Sequence, residues 1–152
     1  MKILSIIFIL IAFTSNASID RTKFFKAFES NSLKEINSQI TFLKRQKESS
    51  DKNAFLGALL MKKASFSRTS KEKITIFNEG NSLLEAAIKK HPRNLSYHLL
   101  RLVIQENCPK ILKYHSQIKS DAELIQSNLD KLDSVTKKFA ENYARTSTNL
   151  NF

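Results

Sequence analysis

Glycine and proline are almost missing: the 152-residue chain has two of each. Loops that wrap phosphate need several glycines close together, so a P-loop or a dinucleotide-binding fingerprint is excluded. Few helix breakers beside abundant Lys, Leu, Glu and Ala favour helices throughout. Sustained period-two alternation bounded by turn dipeptides is also missing, so no sheet is expected. Cys108 is the one cysteine; a lone thiol closes no internal disulfide, and stability must come from helix packing. The hydrolase and zinc-protease motifs G-x-S-x-G and H-E-x-x-H do not occur. No nucleic-acid-binding motif occurs either.

What is present begins with Lys2 and the apolar run ILSIIFILIAF, residues 3–13. Ser15 and Ala17 put small residues at the two positions a signal peptidase reads. The run falls short of the roughly 20 apolar residues that span a bilayer. No cysteine follows it to carry a lipid. The expectation is a signal peptide over 1–17, cleaved after Ala17, and a periplasmic or secreted protein without a transmembrane anchor after cleavage. Residues 18–152 are expected to form a single all-helical domain, long enough to bury a core without staples.

Helical periodicity divides that region into about six helices. Ser18 or Asp20 caps a first helix from Arg21 to Ser30, with Phe24, Phe25 and Phe28 on its apolar side. Ser32 and Glu35 have capping-box spacing and open a helix carrying Leu33, Ile36, Ile40 and Leu43. In the central stretch, 51–92, Asp51 caps a helix with Phe55, Leu56, Leu59 and Leu60. Thr69 and Glu72 form another capping box, opening a helix with Ile74, Phe77, Leu84 and Ile88. Pro92 ends it, because a residue before proline is pushed out of the α region. Leu95 to Asn107 is apolar on two faces and stops at Pro109. The segment 110–117 is expected to be irregular, with Ile111, Leu112 and Tyr114 tucked against the core. Ser120 is expected to cap a last region, broken at Asp133-Ser134. The tail from Thr146 is expected to fray. The expected core is Phe55, Leu59, Phe77, Leu84, Ile88, Leu99, Leu102, Val103, Ile125 and Leu129.

The central stretch resembles the tetratricopeptide repeat. Leu56-Gly57 followed by Leu60 is similar to the Leu-Gly-x-x-Tyr of that family's first helix. Gly80, Leu84, Ala87 and Pro92 have the spacing of the small, large, small and proline positions of its second helix. Asn53 stands where the family has tryptophan, and the Gly57–Gly80 interval is about eleven residues longer than the usual repeat. The arrangement is similar to small secreted tetratricopeptide-like proteins of bacteria. The resemblance implies an antiparallel hairpin, with Gly57 at its close approach and Leu95 to Asn107 stacked on the pair.

Candidate chemistry is sparse. His91, His98, Cys108 and His115 are spaced too irregularly for a helix or knuckle to bring onto one metal, so no metal or other cofactor is expected. Arg101 sits in the apolar run YHLLRLVI, where it must snorkel to water or pair with a carboxylate. Glu79, Glu85, Glu106 and Asp121 are the candidate partners. A structural ion pair is the plainer reading; the sharper one makes Arg101 and Gln105 the polar floor of a partner groove. Net charge is +11, and residues 62–119 hold 12 basic and 4 acidic side chains. Such a field attracts anions, although Lys-rich helix surfaces are also simply solvated.

Three function classes follow. The first is a protein or peptide interaction module of the cell envelope. The second is a basic surface for anionic lipid headgroups or acidic glycans. The third is an enzyme whose site carries no known motif, and no catalytic residue is assigned. The mature protein is expected to begin at Ser18; mass spectrometry of exported material should give that N-terminus, and an intact Met1 there would overturn it.

Overall fold

The computed structural model describes residues 18–152. The apolar run and cleavage site expected over 1–17 lie outside the described residues. Within them the chain is all-helical, with no strand. It forms α1 (Arg21–Glu29), α2 (Leu33–Lys44), α3 (Ser50–Ala64), α4 (Ser70–Lys90), α5 (Leu95–Asn107), α6 (Ile118–Gln126) and α7 (Ser134–Ala144). Single 3₁₀ turns lie at Lys110–Leu112 and Leu129–Lys131. No helix among the described residues is long and apolar enough to cross a membrane.

The capping residues explain most of the boundaries. Asp20, Ser32, Thr69 and Asp133 each accept the backbone N–H three residues on, at Lys23, Glu35, Glu72 and Thr136. This satisfies a donor the first turn leaves free. Two expected starts are corrected. Helix α3 is capped by Ser49, whose hydroxyl takes the Lys52 N–H, so Asp51 lies inside the first turn. Helix α6 begins at Ile118 without a side-chain cap, and the Ser120 hydroxyl instead donates to the Gln117 carbonyl. The last region breaks earlier than expected, after Gln126, and α7 starts at Ser134.

Helix α3 occupies the centre and packs on α1, α2, α4 and α5. Its run from Ala54 to Met61 is buried at every position, the pattern of a helix enclosed on all sides. Helix α6 covers α5, and α7 returns to α1, where Phe139 stacks on Phe25 with ring centroids 4.2 Å apart. Arg21 ties this end together. Its guanidinium donates to Ser96 on α5 and Thr136 on α7, pairs with Asp51 and Asp133, and lies over the Phe55 ring on α3. Buried side chains of all seven helices join in one cluster. It contains eight of the ten expected core residues; Val103 and Leu129 are partly buried against it.

Four expectations about exposure fail, each for a local reason; Leu33, 38% exposed, is the first residue of α2, ahead of the stripe buried at Ile36, Ile40 and Leu43. Ile74, 48% exposed, lies in the second turn of α4, which the register set at Gly57 and Gly80 carries past the end of α3. Ile111 is not tucked in but 87% exposed. Successive residues of a 3₁₀ turn point about 120° apart, so Leu112 turns inward and Ile111 outward; Lys113 then reverses the chain in the left-handed region, at φ 51°. The tail does not fray. Leu150 is fully buried, and Glu106 on α5 accepts hydrogen bonds from Ser147, Thr148 and Asn149, while the Gln126 amide donates to the carbonyls of Asn149 and Asn151. Polar turn-forming residues gave this segment the look of a solvated end, yet they are the groups that bind it down.

The chain's two glycines meet each other. A Cβ on Gly57 would lie 2.5 Å from the Gly80 carbonyl oxygen and 2.9 Å from the Leu84 nitrogen; one on Gly80 would lie 2.5 Å from the Gly57 oxygen. Helices α3 and α4 therefore touch backbone to backbone. The contacts 57 with 84 and 61 with 80 fix an antiparallel register. Alanine in a helix is favoured over glycine by about 1 kcal/mol, but here its methyl meets fixed backbone atoms. Overpacking of this kind costs about 1–3 kcal/mol, so Gly57→Ala and Gly80→Ala should both lower the urea midpoint, and Gly57→Leu should lower it further. An unchanged or raised midpoint for Gly57→Ala would show that the helices separate freely.

Candidate functional site

Arg101 lies inward on α5 and is held by two neighbouring helices. Its Nε donates to Asp121 Oδ2 at 2.7 Å and its Nη2 to Asp121 Oδ1 at 2.8 Å, a two-pronged grip on α6. Its Nη1 reaches Glu85 Oε2 on α4 at 3.0 Å. Of the four carboxylates the sequence offered, the fold brings two, Glu85 and Asp121. Glu106 faces the tail instead and takes the Tyr143 hydroxyl. His98, one turn before Arg101, sets Nδ1 2.8 Å from Asp121 Oδ1 and Nε2 3.0 Å from the Pro92 carbonyl. The Tyr114 hydroxyl donates to the other oxygen of Glu85. Gln105 is fully buried; its amide nitrogen donates to Gln117 Oε1 at 2.8 Å, and its own Oε1 has no partner among the described residues. Arg101 and Gln105 thus link α5 to the elements beside it.

Electrostatics follow from this packing. Burial raises the Asp121 pKa, but hydrogen bonds and charge from Arg101 and His98 outweigh it, and the carboxyl is held below the usual carboxylate value. Burial and the bond to Glu85 push the Tyr114 phenol far up, so it remains a donor. The four sequence candidates for metal binding separate. His91 contacts Ser50, His98 joins the Arg101 cluster, and only Cys108 and His115 meet, with Sγ and Nε2 3.6 Å apart. Burial raises the Cys108 thiol pKa, which keeps it protonated and weakly nucleophilic.

A cavity of about 340 Å³ lies beside this cluster, at the end of the hairpin where α3 turns into α4. Met61 and Ala64 of α3, Phe77 of α4, Ile104 of α5 and Leu112 of the 3₁₀ turn make its walls, and Cys108 and Pro109 close one side. Phe77 packs edge-on against Tyr114 at 5.7 Å, so the ion cluster supports the cavity wall through that ring. Lys62, in the last turn of α3, and Lys73, near the start of α4, also line it, each half-buried. Sequence reading missed this site. Its one signal was the excess of basic residues over 62–119, since nothing in the helical periodicity pairs the end of α3 with Leu112. Searches of known protein families, curated proteins and solved structures find no match to this chain.

Asp121 carries the testable consequence. A carboxyl whose folded pKa is depressed adds stability above its unfolded pKa and loses it as the pH falls through the folded value. Asp121→Asn leaves Arg101 with a buried, half-paired charge, so it should cost about 3–5 kcal/mol at neutral pH. The gap to the parent should narrow below the usual carboxylate range, which denaturant titrations at several pH values would read. A gap that stays constant into acid would remove Asp121 from the acid dependence.

Proposed function

We propose that the protein is an exported helical interaction module, a single domain over 18–152 built on one tetratricopeptide-like hairpin, whose partner is an acidic protein or peptide of the cell envelope. The observation that carries this reading is the unequal use of charge. Ion pairs among the described residues engage Arg21, Lys23, Lys52, Arg101, Lys119 and Lys137. Lys62, Lys63, Arg68, Lys71 and Lys73, grouped where α3 turns into α4, are in none of them. Meanwhile Asp51, Glu85, Glu106, Asp121 and Asp133, of which only Asp121 is buried, are engaged by the fold's own donors. At that turn the five cations stand against one carboxylate, Glu72, and this positive face attracts an acidic partner and raises its encounter rate. The antiparallel α3–α4 pair and the packing of α5 against it support the repeat-like reading. The sequence features of 1–17 support export.

Fluorescence anisotropy with a labelled Glu/Leu peptide tests this. Binding should be present at low salt and lost as ionic strength rises, because screening acts over about 8 Å at physiological salt. Lys63→Glu, Arg68→Glu and Lys71→Glu together should weaken it at least tenfold with the melting temperature unchanged. Equal binding by the charge-reversed protein, or none by the parent, would overturn the reading. A second reading, attachment to anionic lipid headgroups, is favoured by Ile111, which stands out between Lys110 and Lys113. Co-sedimentation with phosphatidylglycerol but not phosphatidylcholine vesicles, lost in Ile111→Ser, would support it over the acidic-peptide reading.

A further inference from the structure

The cavity at the open end of the hairpin pairs an apolar interior with Lys62 and Lys73, which take part in no ion pair among the described residues. Met61, Phe77 and Ile104 belong to the buried core, so the apolar walls are core side chains. The apolar part of the lining gains by taking up an apolar body. Its other polar groups are already engaged. The Ser65 hydroxyl donates to the Lys62 carbonyl, and the Asn107 amide donates to the Val103 carbonyl and the Tyr143 hydroxyl. No carboxylate among the described residues lines the cavity. The donors left are the ammonium groups of Lys62 and Lys73, carried by two helices whose register is fixed at Gly57 and Gly80. Its volume, about 340 Å³, is at the small end of the roughly 300–1,000 Å³ typical of small-molecule sites.

We propose that this cavity binds a small hydrophobic monocarboxylate, its apolar chain between Met61, Phe77 and Leu112 and its carboxylate at Lys62 and Lys73. The charge and the tail act together: charge-assisted hydrogen bonds to the two lysines fix the head, and burial of the chain supplies the attraction. A neutral alcohol of the same length keeps the tail but loses the lysines; an alkylammonium also meets like charge. This site stands apart from the acidic-partner reading, because Lys63, Arg68 and Lys71 line no part of the cavity. The two can fail separately.

Octanoate, below its micellar concentration, is the probe, with octanol and octylammonium as controls. Calorimetry on the full mature chain should show saturable octanoate binding, at least tenfold weaker octanol binding and no octylammonium binding. Lys62→Gln with Lys73→Gln should weaken octanoate at least tenfold while the melting temperature holds. Ser65→Trp, at an exposed position on the rim, should block binding without entering the core. Cys108 gives an independent readout: as the only thiol of the chain and part of the lining, it should be alkylated by iodoacetamide several-fold more slowly when octanoate is present. Equal binding of all three probes, an unaffected double variant, or alkylation unchanged at saturating octanoate would overturn the proposal.

Discussion

The backbone contact between Gly57 and Gly80 is the constraint on which the rest of the structure depends. Two helices normally stand about 8–10 Å apart, held off by the side chains between them. Here a Cβ on either glycine would overlap the other's carbonyl oxygen, so α3 and α4 close to a distance no other residue allows. That closeness lets the large residues on either side of the crossing interlock. It also encloses α3 so fully that eight successive residues, from Ala54 to Met61, are buried. The crossing lies at the midpoint of both helices, so it fixes the register of the ends that carry Lys62 and Lys73.

Around this pair the other helices are attached by polar clamps as well as by apolar burial. Arg21 draws α1, α3, α5 and α7 together at one end. Arg101 draws α4, α5 and α6 together near the middle. Glu106 fastens the tail to α5. Each clamp places a charge where removal of its partner would leave it stranded, so these contacts favour one arrangement of helices over others rather than adding large net stability. The same clamps consume carboxylates. The positive excess gathers where α3 turns into α4, with five cations against Glu72 alone over residues 62–73.

The cavity follows from where these elements stop. The 3₁₀ turn at Lys110–Leu112 follows directly on α5 at Pro109, so Leu112 comes in over the ends of α3 and α4 without filling the space between them. Tyr114, fixed by Glu85, supports Phe77 from behind. A change in the Arg101 cluster would therefore reach the cavity wall through one aromatic contact.

Sequence alone determined the all-helical class, most helix starts and most of the core. Those signals are local: capping residues act within three positions, and the apolar stripe repeats every turn. It also identified Glu85 and Asp121 among the possible partners of Arg101, since a buried cation requires a carboxylate. Only the tertiary structure decided which carboxylates arrive, that Glu106 serves the tail, and that Leu150 is buried while Ile111 is not. These depend on groups distant in the chain, such as Glu106 with Asn149, and no periodicity encodes such a meeting. The cavity lay furthest from the sequence for the same reason. Its walls come from four segments, and its two lysines read as ordinary solvated helix ends until the fold sets them beside an apolar space with no acid to answer them.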